Sequence, residues 1–198
     1  MIDRIVDEIK KSIENECFLS AIVLALTLPD ACGRAAFDSC KGKVGERYVN
    51  WFDSYVLDKV DYAGHRSNLP YVSGNLVYKL RNSLMHQITP GVEFEEKDVK
   101  WFQEQCIVDD FKLVVANGGG GWFSGVNITT NSENNTVEYD KREIHVDLID
   151  LSLKICDAAI DYYNNNQNKF GFITQGIYDI RESYDCLFPH LDEDKYEN

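Results

Sequence analysis

Hydrophobic residues recur at helical spacing from the first residues of the chain. Ile2, Ile5, Val6, Ile9 and Ile13 fall on one face of a helix, and charged residues fill the other. This pattern predicts an amphipathic opening helix. A second segment, from about Cys17 to Leu28, is apolar nearly all round and is expected in the middle of a helical bundle, with Pro29 at its end.

Two further helices are predicted before residue 90. The stretch "GERYVNWFDSYVLDKV" follows a glycine-containing loop and predicts a helix that buries its aromatic residues. After the linker "HRSNLPYVSG", Ser73 is placed to cap a helix from about Gly74 to Gln87, which Thr89 and Pro90 close. A shorter helix is expected at about 98–105.

Strand patterns replace helical ones after residue 107. Residues 111–115 form a β-branched and apolar run, "NGGGGWFSG" predicts a flexible turn, and the next stretch alternates, with Ile144, Val146 and Leu148 on one face. A long helix then follows from Leu148, "NNNQN" ends it, and a weaker helix is expected at 174–187. We predict a mainly α fold in one domain: helical 1–107, a small antiparallel β-hairpin or sheet insert at about 108–147, a helical return at 148–187 and an acidic tail at 188–198.

The charge of the chain restricts its ligands. The net charge is −13 at pH 7, which opposes binding to nucleic acid because phosphate contacts depend on Lys and Arg. Residues 31–90 nevertheless hold eight basic and five acidic side chains, a balance of +3, so the rest of the chain carries −16. This island permits an anionic ligand, and a solvated mixed surface explains it equally well.

The cysteines and the first 28 residues indicate a cytoplasmic protein. None of the six cysteines forms a C-x-x-C pair, so reduced core thiols are expected rather than a zinc site or disulfides. The first 17 residues are acidic, unlike the positive start of an export signal, and the apolar run of residues 18–28 is too short to cross a bilayer. No membrane association is predicted.

The stretch "LVYKLRNSLMHQITP" carries the candidate chemistry. At about 100° per residue, Asn82 and His86 share a helix face, whereas Arg81 is displaced by about 140° from His86. If the three converge, the imidazole can take a proton from a ribose 2′-hydroxyl and the guanidinium can stabilise charge on the phosphoryl oxygens, with no metal or other cofactor. The alternative is that the helix dipole favours His86 at the C-terminus and that Arg81 pairs with a carboxylate.

Other candidate residues carry weaker signals. The run Gly118–Gly121 lacks a P-loop ending and predicts a hairpin tip. Trp122 and Phe123 can stack bases or meet a partner, although aromatics after a turn commonly cover their own sheet. Glu143, His145 and Asp147 alternate on a strand face that is expected to be solvated rather than to bind a metal. The candidates for substrate binding are Lys79, Ser83, Arg47, His65 and Arg66.

The succession "AIVLALTLPDACG", "GERYVNWFDSYV" and "YKLRNSLMHQ" resembles bacterial proteins of the HEPN superfamily (higher eukaryotes and prokaryotes nucleotide-binding). The hallmark of these helical bundles is R-x4-6-H with a polar residue after the arginine, and "RNSLMH" matches it as Arg81, Asn82 and His86. The resemblance covers about residues 15–90, and the strand insert has no counterpart in it.

The resemblance implies a metal-independent endoribonuclease that leaves a 2′,3′-cyclic phosphate. It also implies a homodimer that joins two motif helices in one cleft, where the arginine and histidine of different copies can converge. A toxin with an antitoxin-like protein partner, or a phage-defence nuclease, is the biological role it suggests. Because many such proteins are non-catalytic, an interaction or RNA-binding module is the rival reading, and a nucleotide-binding regulator is a third.

Overall fold

The computed structural model describes residues 1–37, 43–60, 71–92, 110–116, 123–131 and 136–173. The molecule is mainly helical and has one small sheet in this part of the chain. The predicted helices at 98–105 and 174–187, the His65–Arg66 linker, the Gly118–Gly121 run and the acidic tail lie outside the described residues. The elements are α1 (Ile2–Glu14), α2 (Phe18–Ala25), α3 (Leu28–Ala36), α4 (Val44–Tyr55), α5 (Leu57–Val60), α6 (Gly74–Gln87), β1 (Asp110–Val114), β2 (Phe123–Asn131), β3 (Thr136–Asp147) and α7 (Leu148–Asn165).

The N-terminal helix is amphipathic, as its spacing predicts. Ile2, Val6 and Ile9 are buried on one side of α1. The helix packs against α2 and α7, and α7 also contacts α3. Five side chains of α7 are fully buried, namely Leu151, Ser152, Ile155, Cys156 and Ala159.

The apolar segment after α1 is two helices, so the prediction of one helix that ends at Pro29 is wrong. A turn at Leu26 and Thr27 separates α2 from α3, and Pro29 lies in the first turn of α3. Proline fits there because the first amide groups of a helix have no intrahelical acceptor. The stretch Phe18–Ala36 has the length and apolar composition of a membrane span, but half of it is buried inside the molecule, and a core helix passes the same test.

The centre of the core is aromatic. Tyr48, Trp51 and Phe52 of α4 are fully buried, which confirms the predicted inward face of this helix. Tyr55 is the exception, since it is 40% exposed at the end of α4. Its ring still stacks on Trp51 with centroids 5.6 Å apart.

The motif helix α6 begins and ends where its sequence predicts. Ser73 is the N-cap, and its Oγ accepts a hydrogen bond of 3.3 Å from the Leu76 amide. Gly74 follows and packs closely on α4, since a Cβ there would come within 2.8 Å of the Val49 carbonyl oxygen. The Gly74 amide also donates to Asp53 Oδ1 at 2.7 Å. The start of α6 is therefore held directly against α4.

The sheet has three strands in the order β1-β3-β2. β1 pairs with β3 in parallel, with Phe111 opposite Ile144, whereas β2 pairs with β3 antiparallel. The prediction of an antiparallel insert is therefore wrong for the β1–β3 pair, and the sheet is mixed. Ile144 and Val146 are buried as their alternation predicts.

Asp147 is buried instead of facing solvent, because its Oδ1 accepts the Ile149 amide at 3.0 Å and so caps α7. The prediction of a solvated face at this position is wrong. A helix N-cap explains the carboxylate better than a metal ligand does.

Candidate functional site

The helix α6 presents two different faces at its C-terminal half. Leu80 and Leu84 are buried in the core, and Arg81 and Asn82 lie at the edge of this buried stripe. His86 is exposed to solvent one turn after Asn82. The helix therefore turns the arginine toward its neighbours and the histidine away from them.

The Arg81 guanidinium is held by two side chains. Its Nε and Nη2 donate to the same oxygen of the α3 residue Asp30, Oδ2, at 3.2 and 3.0 Å. Its Nη1 donates to Asn82 Oδ1 at 3.0 Å. The side chains of Arg81 and Asp30 are only 19% and 24% exposed. The structure thus brings Arg81 and Asn82 together, and it adds a carboxylate 51 positions earlier in the chain.

The environment of Asp30 is less polar than water. Burial raises the pKa of Asp30, and the nearby positive charges of Arg81 and Arg47 lower it without cancelling that effect. The charge of this carboxylate is therefore compensated by two guanidinium groups, of which only Arg81 bonds to it in the described part of the chain.

A second layer of polar groups lies beside the pair. Asp30 Oδ1, Arg47 Nε and the Tyr48 hydroxyl are buried and have no hydrogen-bond partner among the described residues. Burial is the main cause that raises the pKa of Tyr48, and the Asp30 charge adds to it. The Tyr78 ring lies 5.1 Å from the Tyr48 ring, measured between centroids. Asp30, Arg47, Tyr48 and Arg81 form a set that we call the α3–α4–α6 polar cluster.

His86 is separate from this cluster. Among the described residues, no hydrogen bond joins its imidazole to Arg81 or Asn82. Met85 and Ile88 beside it are 41% and 76% exposed. Ile88 ends the helix with φ of 57° and ψ of 30°, the left-handed conformation, which is unfavourable for a β-branched residue. The end of α6 therefore presents His86 within an exposed and partly apolar surface.

The weaker candidates are dispersed. Ser83 binds the end of its own helix, since its Oγ donates to the Thr89 carbonyl at 3.0 Å. Lys79 is half-buried on α6. Arg47 belongs to the polar cluster, whereas His65 and Arg66 lie outside the described residues.

The described residues also bear on the predictions about metal binding and about the cysteines. Among the described residues, no three His, Cys, Asp or Glu side chains are grouped to hold a metal ion. Cys32 and Cys156 are buried free thiols, as predicted, whereas Cys17 is exposed, so the prediction of a core position is wrong for it. Cys17 precedes α2 at a turn, where its side chain lies outside the bundle. Cys40, Cys106, Cys186 and Trp122 lie outside the described residues.

Asp30 is the site residue that the sequence interpretation missed. The only local signal is a lone acid in the apolar segment "LALTLPDACG". A carboxylate at that place in a bundle needs a cation, and Arg81 provides it.

The described part of the protein is mainly helical, and its helix α6 carries an arginine and a histidine five positions apart. Comparisons of the chain with protein-family models, with curated protein sequences and with solved structures gave no match.

Proposed function

We propose that this protein is a metal-independent endoribonuclease of the HEPN type. In the proposed reaction, the ribose 2′-oxygen attacks the adjacent phosphorus and the bond from phosphorus to the 5′-oxygen breaks. His86 accepts the 2′-hydroxyl proton, and the 5′-oxygen leaves with a proton from the His86 imidazolium of a second copy. The products are a 2′,3′-cyclic phosphate end and a 5′-hydroxyl end.

The observation that carries the proposal is the fixed guanidinium of Arg81, five residues before an exposed histidine on the same helix. A preorganised planar cation stabilises charge that develops on phosphoryl oxygens, because it does not have to be reoriented during the reaction. Asp30 and Asn82 provide that preorganisation. The resemblance of "RNSLMH" to the HEPN motif gives these residues their roles.

A second copy completes the proposed site. Within one chain, Arg81 faces α3 while His86 faces solvent, so the two groups do not meet on one helix. The exposed Met85 and Ile88 supply apolar surface that a dimer can bury around His86. In the proposed dimer, the two motif helices lie side by side and RNA crosses both.

The test is cleavage of short labelled RNAs by the purified protein in EDTA. We expect His86→Ala to lower the cleavage rate by roughly 10²- to 10⁴-fold, because a positioned acid or base contributes that much. Gln87→Ala, at the exposed neighbouring position of the same helix end, is the matched control and should cleave like wild type. A folded His86→Ala protein that cleaves at the wild-type rate would show the assignment to be wrong.

The second candidate is a non-catalytic interaction module. It is favoured by the same ion pair, since a half-hidden guanidinium bonded to Asp30 also serves as a structural link between α3 and α6. The acidic net charge of −13 agrees with a basic protein partner. A folded dimer that cleaves none of the RNAs would favour this candidate.

A further inference from the structure

The hydrogen bonds of Arg81 leave a defined part of its guanidinium open. A guanidinium has five N–H groups. Within the described part of the chain, one bond uses the Nε–H and the other two use one N–H of each terminal nitrogen. One N–H therefore remains on Nη1 and one on Nη2. These two donors, one on each terminal nitrogen, can bond to phosphodiester oxygens.

The helix that carries the Asp30 carboxylate, α3, is held in place by its contact with α4. Asp30 lies in the first turn of α3, directly after Pro29. One turn later, Gly33 brings α3 so close to α4 that a Cβ there would lie 2.7 Å from the Arg47 carbonyl oxygen. Since α3 is held against α4 at this contact, Asp30 cannot follow Arg81 if the arginine changes rotamer.

We propose that Asp30 is the positioning residue that aims the free edge of Arg81 at the scissile phosphodiester, an inference that rests on the proposed function. Both bonds to Asp30 go to one oxygen, Oδ2, and the bond from Nη1 to Asn82 Oδ1 adds a second acceptor, so the two side chains together fix the orientation of the guanidinium. Asp30 does not touch the substrate. It acts through the arginine, and it lowers the local positive charge while it does so.

If Asp30 both orients Arg81 and offsets its charge, replacing Asp30 should preserve or strengthen RNA binding but slow turnover. Asp30→Asn removes one negative charge beside Arg81 and Arg47, so RNA should bind as tightly as before or more tightly, and KM should stay equal or fall. A neutral amide oxygen is a weaker acceptor for a guanidinium than a carboxylate, so Arg81 should be held less firmly and kcat should fall by about 10- to 100-fold, because small displacements of a catalytic group are costly. A variant that merely loses stability would not lower kcat and KM together.

The experiment measures kcat and KM of full-length wild type, Asp30→Asn and Asp161→Asn with a short RNA, together with thermal melting of each. Asp161 makes another ion pair between two helices, at 3.1 Å from Lys59, and the loss of this pair should leave kcat unchanged. Asp30→Asn that folds and keeps the wild-type kcat would overturn the inference and leave the proposed function intact. If wild type does not cleave RNA, the proposed function fails, and the role of Asp30 in cleavage fails with it.

A second variant keeps the test decisive if Asp30→Asn does not fold. Asn82→Ala removes the acceptor of Arg81 Nη1 and leaves the contact between α3 and α4 in place. It should lower kcat by a smaller factor than Asp30→Asn, in the range of about 3- to 10-fold. An Asn82→Ala protein with the wild-type kcat would then overturn the inference that fixation of the guanidinium controls the rate.

Discussion

Arg81 shows how one side chain joins distant parts of the chain. It follows Val77 by one turn, so the helical pattern places it beside the buried stripe of α6. Its partner Asp30 is 51 positions earlier, and no pattern in the sequence states that the two meet. The local direction of Arg81 was thus predictable, whereas the ion pair required α3 and α6 to pack against the same helix, α4.

Among side-chain contacts, those between residues close together in the sequence were the most predictable. Ser73 caps α6 as its sequence indicates, because the bond from the Leu76 amide spans only three residues. Asn82 and His86 share a helix face, as their spacing predicts, but no hydrogen bond joins them among the described residues. Asn82 accepts a bond from Arg81 instead, and an adjacent cation is a stronger partner for an amide oxygen than an exposed imidazole.

The two buried thiols should resist alkylation in the folded protein. Burial raises the pKa of Cys32 and of Cys156 to about 12, so almost no thiolate exists at pH 8. Cys17 is exposed and should react with a maleimide within minutes. Peptide-level mass spectrometry of the labelled native protein checks this, with labelling in urea as the control. Native modification of Cys32 at the rate of Cys17 would contradict the structure.

Among the elements, the predictable boundaries are those with a chemical stop signal. α6 has a serine cap at its start and Pro90 shortly after its end, and its bounds match the prediction. The segment that contains α2 and α3 is apolar nearly all round, so periodicity gives no indication of the turn at Leu26 and Thr27. Strand pairing was harder still, since the parallel β1–β3 pair joins residues more than 30 positions apart.

The contact between α3 and α4 depends on Gly33, and a larger residue there should separate the two helices. We expect Gly33→Ala to destabilise the protein by about 1–3 kcal/mol, since the new Cβ would meet a backbone oxygen that cannot move alone. Urea unfolding followed by circular dichroism measures the change.

Gly171→Ala is the matched control for Gly33→Ala, because no described atom beyond its two chain neighbours lies within 4 Å of its Cβ position and its φ is −58°. This control should keep the wild-type stability or gain about 0.4–1 kcal/mol. Equal stability of Gly33→Ala and wild type would show that α3 can move away from α4 without cost.

At the scale of the whole molecule, hydrophobic periodicity predicts the fold class and leaves the arrangement of the helices open. The mainly helical fold follows from the 3.6-residue periodicity of α1, α4 and α7. The position of α7 against α1, α2 and α3 follows from packing across the full length of the chain, which local patterns do not encode. The same limit applies to the polar cluster, which draws on three separate helices.

The last described α-helix should be indispensable for cooperative folding. A chain that ends after Asp147 lacks α7 and with it the fully buried Leu151 and Ile155. Each such side chain contributes about 1.5–3 kcal/mol, and several together approach the total stability of a domain. We expect the shortened chain to show no cooperative urea transition by circular dichroism, whereas the full chain shows one. A wild-type-like transition in the shortened chain would contradict this.

The position of α7 also orders events during synthesis. α2 leaves the ribosome early, but α7, one of its main packing partners, begins only at Leu148, about 120 residues after α2 ends. At roughly 5–20 residues per second, translation of that interval takes on the order of 10 s. For that time the apolar face of α2 has no α7 to cover it, so the nascent chain is open to chaperones and to aggregation until α7 has been synthesised.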